Sequence, residues 1–352
     1  MVALKEVADF ANGKAHEDSV SEDGKYILIN SKFISTEGKV KKYTDKQLSP
    51  LYKNQIVMVM SDLPNGKALA KCYYINEDDK YTLNQRICSL TPTCCDSRFL
   101  LYQINRNKYY LRFDDGVNQT NLKKGEVLNC PVYLPSSNEQ QKISALLSLL
   151  DQRIETQKKI IEDLKKLKDA ISCKNLFDQS WKEYKVSEIS ILGRGRVIST
   201  IEISRQERPQ YPVYSSQTSN NGIMGYLDDY DFDGEYITWT TDGANAGTVF
   251  YRNGRFNCTN VCGTIKVNKN IDAYFLSVVL QSATAKYVSI NLANPKLMNN
   301  TMASIKVKLP DIDTQKYWSR ILQHIDKKID TEFKYESLLI QQKIYLLSQL
   351  FI

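Results

Sequence analysis

The sequence predicts an α+β protein made of one unit used twice, a globular block of short strands and helices followed by a single long helix. Two observations carry that prediction. Apolar residues at Ile143, Leu147, Leu150, Ile154, Ile161, Leu164 and Ile171 recur at alternating steps of four and three, with polar Gln157 and Lys168 in the remaining seam positions. A heptad sustained over about four repeats marks a helix that buries a narrow stripe against another helix. The pattern then returns 175 positions further on, at Trp318, Leu322, Ile325, Ile329, Leu339 and Leu346. Two copies are too few for a solenoid, so the long period describes a duplicated block-plus-helix.

In chain order, residues 1–133 form the first block. Tyr26-Ile27-Leu28-Ile29 and Ile56-Val57-Met58-Val59-Met60 are β-type runs, and 84–90 reads as a further strand. Leu63-Pro64-Asn65-Gly66-Lys67 is a turn, and Phe99 opens a helix. Residues 134–178 form the first long helical region. Pro135 cannot donate a backbone hydrogen bond and marks its boundary, while Ser136 with Glu139 makes a capping box. Residues 179–308 form the second block, which repeats the order of elements with different side chains. Tyr211 to Ser216 stand for Tyr26 to Ser31, Tyr236 to Thr241 for the run from Ile56, and Asn260 to Ile265 for 84–90. The loop Asn291-Leu292-Ala293-Asn294-Pro295-Lys296 stands for the Asn118 loop. Residues 309–352 reopen with Leu309-Pro310 and the N-cap residue Asp311, and form the second long helix.

Composition narrows the function. Of 352 residues, 42% are hydrophobic and 25% charged, as in soluble globular proteins. No apolar run is long enough to span a membrane, and the first residues lack a basic start and an apolar core, so neither a transmembrane helix nor a signal peptide is expected and the location is cytoplasmic. The net charge of +7 is compatible with nucleic acid without demanding it. Eight cysteines make no CxxC pair and the two histidines stand apart from them, so no metal site is expected. There is no P-loop, no GxGxxG after a strand, no Asn-Pro-Pro-aromatic run and no nuclease-type acidic group. Gly193-Arg194-Gly195-Arg196 fits either a phosphate contact or a surface turn.

What remains is a set of amide- and hydroxyl-rich loops between strands. The candidates in the second block are Ser215, Ser216, Gln217, Thr218, Asn220, Asn221, Thr240, Thr241, Asn245 and Lys296. Their counterparts in the first are Asn30, Lys32, Asn65, Lys67, Asn118 and Gln119. Asn, Gln, Arg and Lys can read base edges through paired hydrogen bonds, and Ser and Thr touch bases or phosphates.

The motif Leu-Pro, Glu139-Gln140-Gln141-Lys142-Ile143, Leu150-Asp151-Gln152-Arg153-Ile154-Glu155 and a Lys-rich heptad helix resembles the repeated helical region of Type I restriction–modification specificity subunits. The second copy keeps Gln315-Lys316 and Ile325-Asp326-Lys327-Lys328-Ile329-Asp330, with Asp313-Thr314 in place of Glu-Gln. Tyr211 to Thr218 and Asn220 to Tyr226 look like a target-recognition domain of that family. The resemblance implies a non-catalytic subunit with two target-recognition domains, each reading half of a split double-stranded DNA sequence. It implies that the long helices form an antiparallel coiled coil with pseudo-twofold symmetry and dock two methyltransferase subunits. A restriction (motor-nuclease) subunit completes the complex, and S-adenosylmethionine, ATP and Mg belong to those partners, with no cofactor on this chain. Antiparallel pairing about a pseudo-twofold axis sets Lys168 opposite Glu332, Gln157 opposite Lys343 and Ile154 opposite Leu346. The rival readings are a coiled-coil scaffold that joins two binding modules without DNA, and a self-contained DNA-modifying enzyme, which the missing motifs disfavour.

Overall fold

The computed structural model describes residues 1–175, 180–289 and 294–351. Leu176, Phe177 and the loop residues Asn291, Leu292 and Ala293 lie outside them. The chain divides into two compact units, Met1–Lys158 with Tyr335–Ile352, and Lys159–Lys334. Each holds one block and a stretch of both long helices.

Unit 1 is built on a four-stranded antiparallel sheet in the order Ala8–Asn12, Ile87–Pro92, Ile56–Val59, Cys72–Tyr74. Every residue of Ile56–Val59 is buried, which explains its unbroken apolar run: the strand is covered on both faces. Ile56 and Met58 face Leu100 and Ile104 of the helix Ser97–Ile104. Val57 and Val59 face Ile27, Ile29, Phe33 and Leu83. Those last residues belong to a second small sheet and the short helix beside it, where Tyr26–Ile29 pairs in parallel with Tyr81–Leu83.

Unit 2 repeats the plan. Its four-stranded sheet runs Ser190–Arg194, Cys262–Val267, Tyr236–Thr240, Val249–Arg252. Trp239 is wholly buried beneath the helix Ala273–Ala283 and donates its indole N–H to Leu297 O at 2.9 Å. Beside it Tyr211–Tyr214 pairs in parallel with Asn257–Cys258 and antiparallel with Ile223–Leu227. The two sheets of each unit meet at a close crossing. A Cβ on Gly13 would lie 2.0 Å from Asn84 O, and one on Gly195 would lie 2.1 Å from Cys258 O. These two glycines occupy equivalent places, and no side chain fits at either.

The long helices are Ser137–Asn175 and Ile312–Leu350, of 39 residues each. The capping box forms: Ser136 N donates to Glu139 Oε2 at 3.0 Å, and these bonds hold the Glu139 carboxyl below its ordinary pKa. Asp311 Oδ1 caps the second helix by accepting from Thr314 N at 3.0 Å. The helices run antiparallel in both units. In unit 1, Arg153 Nη2 donates to Tyr335 OH at 2.6 Å while Asp151 pairs with Lys343. In unit 2, Lys165 lies 4.6 Å from the Phe333 ring centre while Lys168 pairs with Asp326. The heptad stripe is the buried face. Leu147, Leu150, Ile154, Ile161, Leu322, Ile329 and Leu339 are buried, and Ile143, Leu164, Trp318, Ile325 and Leu346 are half-buried. Leu150, Ile154, Leu339 and Leu346 form one cluster.

The register of the polar seam residues needs correction. Lys168 Nζ binds Asp326 at 2.6 Å rather than Glu332, and Lys343 binds Asp151 rather than Gln157. Glu332 pairs along its own helix with Lys328. Both aspartates are already fixed from the other side. Tyr102 OH donates to Asp151 Oδ2 at 2.7 Å, and Tyr274 OH donates to Asp326 Oδ2 at 2.5 Å. A carboxylate already oriented by a tyrosine is a well-placed acceptor for the lysine, whereas Glu332 is engaged by Lys328. Burial raises the pKa of both tyrosines, so they stay protonated donors.

A further bond fastens each block to its helix, and a second ties the same glutamine to the helix's own entry. Gln140 Oε1 accepts from Asp96 N at 2.9 Å and Gln140 Nε2 donates to Pro135 O at 2.9 Å. Gln315 repeats both, with Asp272 N at 3.0 Å and Pro310 O at 2.8 Å. Asp96 and Asp272 in turn cap the helices that carry Tyr102 and Tyr274.

Candidate nucleic-acid interface

In each block four chain segments meet at one end of the sheets, and main-chain bonds place them. In unit 1, Asn84 N donates to Ile29 O at 3.1 Å, Met60 N to Arg86 O at 3.0 Å and Leu122 N to Met60 O at 2.7 Å. In unit 2, Thr259 N donates to Tyr214 O at 2.8 Å, Thr241 N to Val261 O at 3.0 Å and Leu297 N to Thr241 O at 2.9 Å. The backbone scheme is the same, so Asn30 corresponds to Ser215, Ser61 to Asp242, Arg86 to Val261 and Asn121 to Lys296. Sequence candidates from both blocks fall at this same end.

In unit 1 the segments enclose an open cleft of about 480 Å³. Asn30 and Gln119 line it, with Ser61, Asn84, Gln85 and Arg86. Asn30 also caps the helix Ser31–Ser35, its Oδ1 accepting from Phe33 N at 2.9 Å. Gln119 Nε2 donates to Ser61 Oγ at 2.7 Å. Asn65, at φ +55°, donates from Nδ2 to Gly116 O at 3.1 Å, which ties its turn to the 114–121 loop and leaves Lys67 exposed beside it. Lys32 is exposed on the short helix and does not line the cleft. Asn118 is held by Asp115, whose carboxyl accepts from the Asn118 main chain and side chain and is lowered to about 2.

In unit 2 the residues 215–222 form the turn between two strands, closed by Ser215 N donating to Gly222 O at 2.9 Å. Asn220 and Asn221 take left-handed φ values of +48° and +53°, which asparagine tolerates better than most residues. Thr218, Asn220 and Asn221 are exposed, and Ser215, Ser216 and Gln217 are half-buried. Gln217 spends its side-chain amide on Ile223 O. Asn245 is exposed in the turn between the strands Tyr236–Thr240 and Val249–Arg252.

Thr240 and Thr241 do not belong among the contact residues. They are 1% and 0% exposed, so neither side chain can reach a base or a phosphate. Thr241 Oγ1 instead accepts from Arg194 Nη2 at 2.9 Å and donates to Asp242 Oδ2 at 2.7 Å. Asp242 also holds Lys296 Nζ at 3.7 Å, so this carboxylate gathers two half-exposed cations, Arg194 and Lys296, at the mouth of the site. Arg196 is occupied by Glu202 at 2.7 Å and Asp231 at 3.1 Å. Of the four-residue Gly-Arg run, then, Arg194 points to the site and Arg196 is structural.

Three residues at the site carried no signal in the sequence. The strand begins only at Ile87: Asn84 makes an isolated bridge to Lys14, residues 85 and 86 are a turn, and Arg86 has φ +67°. Asn84 lines the same cleft and keeps a buried Oδ1 with no hydrogen-bond partner. Arg252 is 3% exposed, with its guanidinium 3.6 Å from the Tyr214 ring centre and 4.4 Å from that of Phe250. Its Nη2 donates to Asn221 O at 2.9 Å and its Nε to Thr238 Oγ1 at 3.2 Å, so it braces the 215–222 turn from below.

A family model described as Type I restriction modification DNA specificity domain matches residues 1–166 and again residues 178–338. A putative type I specificity subunit N-terminus of Mycoplasma pneumoniae is 47% identical over 146 residues, covering 41% of this chain and 76% of that protein. The Type I restriction enzyme MpnII specificity subunit of the same organism is 43% identical over 148 residues; the matched region spans 44% of that relative's length. The crystal structure of a Type I restriction–modification S subunit from M. genitalium has a TM-score of 0.72 at 20% identity, over 100% of this chain and 95% of that one. A chain from a study of assembly and conformational transition of the type I R-M system has a TM-score of 0.57 at 12% identity. These two structures share the fold.

Proposed function

The chain belongs to the Type I restriction–modification DNA specificity family, and on that premise we propose that its two blocks each read one half of a split double-stranded DNA target. The observation that carries the reading is the coincidence of candidates at one end of both blocks. The main-chain scheme is shared there, while the side chains at equivalent places differ. A fixed backbone with interchangeable amide, hydroxyl and basic side chains is what base-edge readout requires. The half-exposed cations Arg194 and Lys296 supply phosphate contacts that fix position without reading sequence.

The chain itself is non-catalytic in this reading and acts in the cytoplasm. S-adenosylmethionine, ATP and Mg are bound by the methyltransferase and motor-nuclease subunits it assembles with. The long helices dock those methyltransferase subunits and set the gap between half-sites. Support comes from apolar side chains that face outward from the coiled coil, including Leu146, Leu149, Leu338, Ile344 and Tyr345; exposed apolar patches of this kind mark protein contacts. The scaffold reading has no comparable support, because it gives no reason for amide-rich ends on both blocks.

The test is to express the chain with its methyltransferase subunits and map methylated bases. A two-part motif is expected, and replacing residues 215–221 should change only one half of it. A motif with no split, or one in which both halves change, refutes the proposal, as does methyl transfer to DNA by the purified chain alone.

A further inference from the structure

The first block has four arginines, Arg86, Arg98, Arg106 and Arg112. Three are spent on the fold. Arg98 lies 4.3 Å from the Tyr74 ring centre, Arg112 lies 4.0 Å from that of Tyr109, and Arg106 donates to Leu69 O at 3.1 Å. Arg86 differs. Its side chain is exposed at the cleft and has no protein partner among the described residues.

The backbone beneath it is fixed. Arg86 sits at φ +67°, a conformation disfavoured for a residue with a Cβ. It is held there by Met60 N donating to the Arg86 carbonyl, while Asn84 two residues earlier donates to Ile29 O. The turn therefore fixes the point from which the exposed Arg86 side chain leaves the backbone. Nothing in the cleft neutralises the guanidinium. Asp62 is the one carboxylate among the lining residues, and it already accepts from Leu63 N, Ala68 N and Leu69 N.

We propose that Arg86 reads a guanine in the half-site bound by unit 1. The inference rests on the DNA-specificity reading above. A planar guanidinium matches guanine O6 and N7 through two parallel hydrogen bonds, the commonest specific contact in the major groove. The remaining lining groups favour a base over a phosphate. They are amides and hydroxyls, at Asn30, Ser31, Ser61, Asn84, Gln85 and Gln119, with no second cation to make a phosphate track. The buried, unpartnered Oδ1 of Asn84 adds an acceptor in the same wall. In unit 2 the equivalent place is held by Val261, which cannot make this contact, so the effect belongs to one half-site.

The experiment selects bound duplexes from a randomised library with the full chain, alone and with its methyltransferase subunits, for wild type, Arg86→Gly and Arg86→Lys. Glycine accepts the left-handed backbone, so loss of the fold is not a confounding outcome. The wild type should enrich a motif with a guanine in one half. Arg86→Gly should lower the preference for that guanine roughly 5- to 150-fold, leaving the other positions and the other half unchanged. Arg86→Lys should fall between, because an ammonium cannot form the paired contact. Arg86→Gly with an unaltered motif overturns the proposal. So does uniform weakening with a shallower salt dependence, which is the result for a phosphate contact. A wild-type chain that enriches no motif in either form refutes the DNA-specificity reading itself, and this inference with it.

Discussion

Replacing Asp326 by alanine should destabilise unit 2 by roughly 1.5–4 kcal/mol. The carboxylate makes two contacts, accepting the Tyr274 hydroxyl and pairing with Lys168 at 2.6 Å. A hydrogen bond to a charged group contributes about 1.5–3 kcal/mol. The ion pair adds less, about 0–1 kcal/mol, because its side chains are 21% and 37% exposed and water screens them. The assay is urea denaturation followed by tryptophan fluorescence. The three tryptophans, Trp181, Trp239 and Trp318, all lie in unit 2 and pack in its core. With a slope of about 2–3 kcal/mol per molar urea, the midpoint should fall by roughly 0.5–2 M. In a double-mutant cycle, Tyr274→Phe and Asp326→Ala should couple by more than about 0.5 kcal/mol. A midpoint within 0.2 M of wild type (about 0.5 kcal/mol on that slope), or coupling near zero, would show that the carboxylate fastens nothing.

Three other outcomes are expected. Arg252→Ala should cost roughly 2–4 kcal/mol, from a charge-assisted hydrogen bond and ring stacking, and should blur only the half-site read by unit 2; unaltered specificity in methylation mapping would contradict its bracing role. Inserting one helical turn after Lys159 and in the paired helix should lengthen the unspecified spacer, since 39 residues at about 1.5 Å rise make each helix a rod of about 58 Å; an unchanged spacer would remove the helices as the ruler. Stability should fall as pH rises above about 10. Burial raises the folded pKa of Tyr102 and Tyr274, so the unfolded chain loses those protons first and their contribution, full below the unfolded value, drains away as pH climbs. Tyr274→Phe should make the decline shallower in the same urea assay.

The parts of the fold legible in the sequence were those with local signals. The heptad stripe, the Ser136–Glu139 box and the Asp311 cap need only residues a turn or two apart to be recognised. Ile56–Val59 showed itself as an unbroken apolar run because both faces of its strand are covered. The site was harder, because its signals are non-local. Arg86 sits in a left-handed turn fixed by two long-range hydrogen bonds, Met60 N to Arg86 O across 26 positions of sequence and Asn84 N to Ile29 O across 55. Thr240 and Thr241 looked available because they are polar, yet they are buried, and Thr241 is spent on Arg194 and Asp242. The seam register failed for a related reason. Pairing lysine with the nearest seam anion ignored Asp326, whose position is decided by a tyrosine on another helix.

The duplication separates what must stay the same from what is free to differ. Along the helices the copies agree in side chains: Gln140 and Gln315, Asp96 and Asp272, Asp151 and Asp326, Lys343 and Lys168 make the same bonds. Tyr102 and Tyr274 reach their aspartates from different turns of their helices, six and two residues after the capping aspartate, so the bond is kept while its position in sequence is not. At the far end the agreement passes to the main chain. Asn30 stands against Ser215, Ser61 against Asp242, Arg86 against Val261 and Asn121 against Lys296, while the carbonyls and amides that hold them pair alike. Main-chain bonds do not depend on which side chain a residue carries. A block fastened by side chains at one end and by backbone at the other can therefore change what it contacts without changing how it is mounted. That is the physical requirement for two blocks of one chain to recognise different halves of one target.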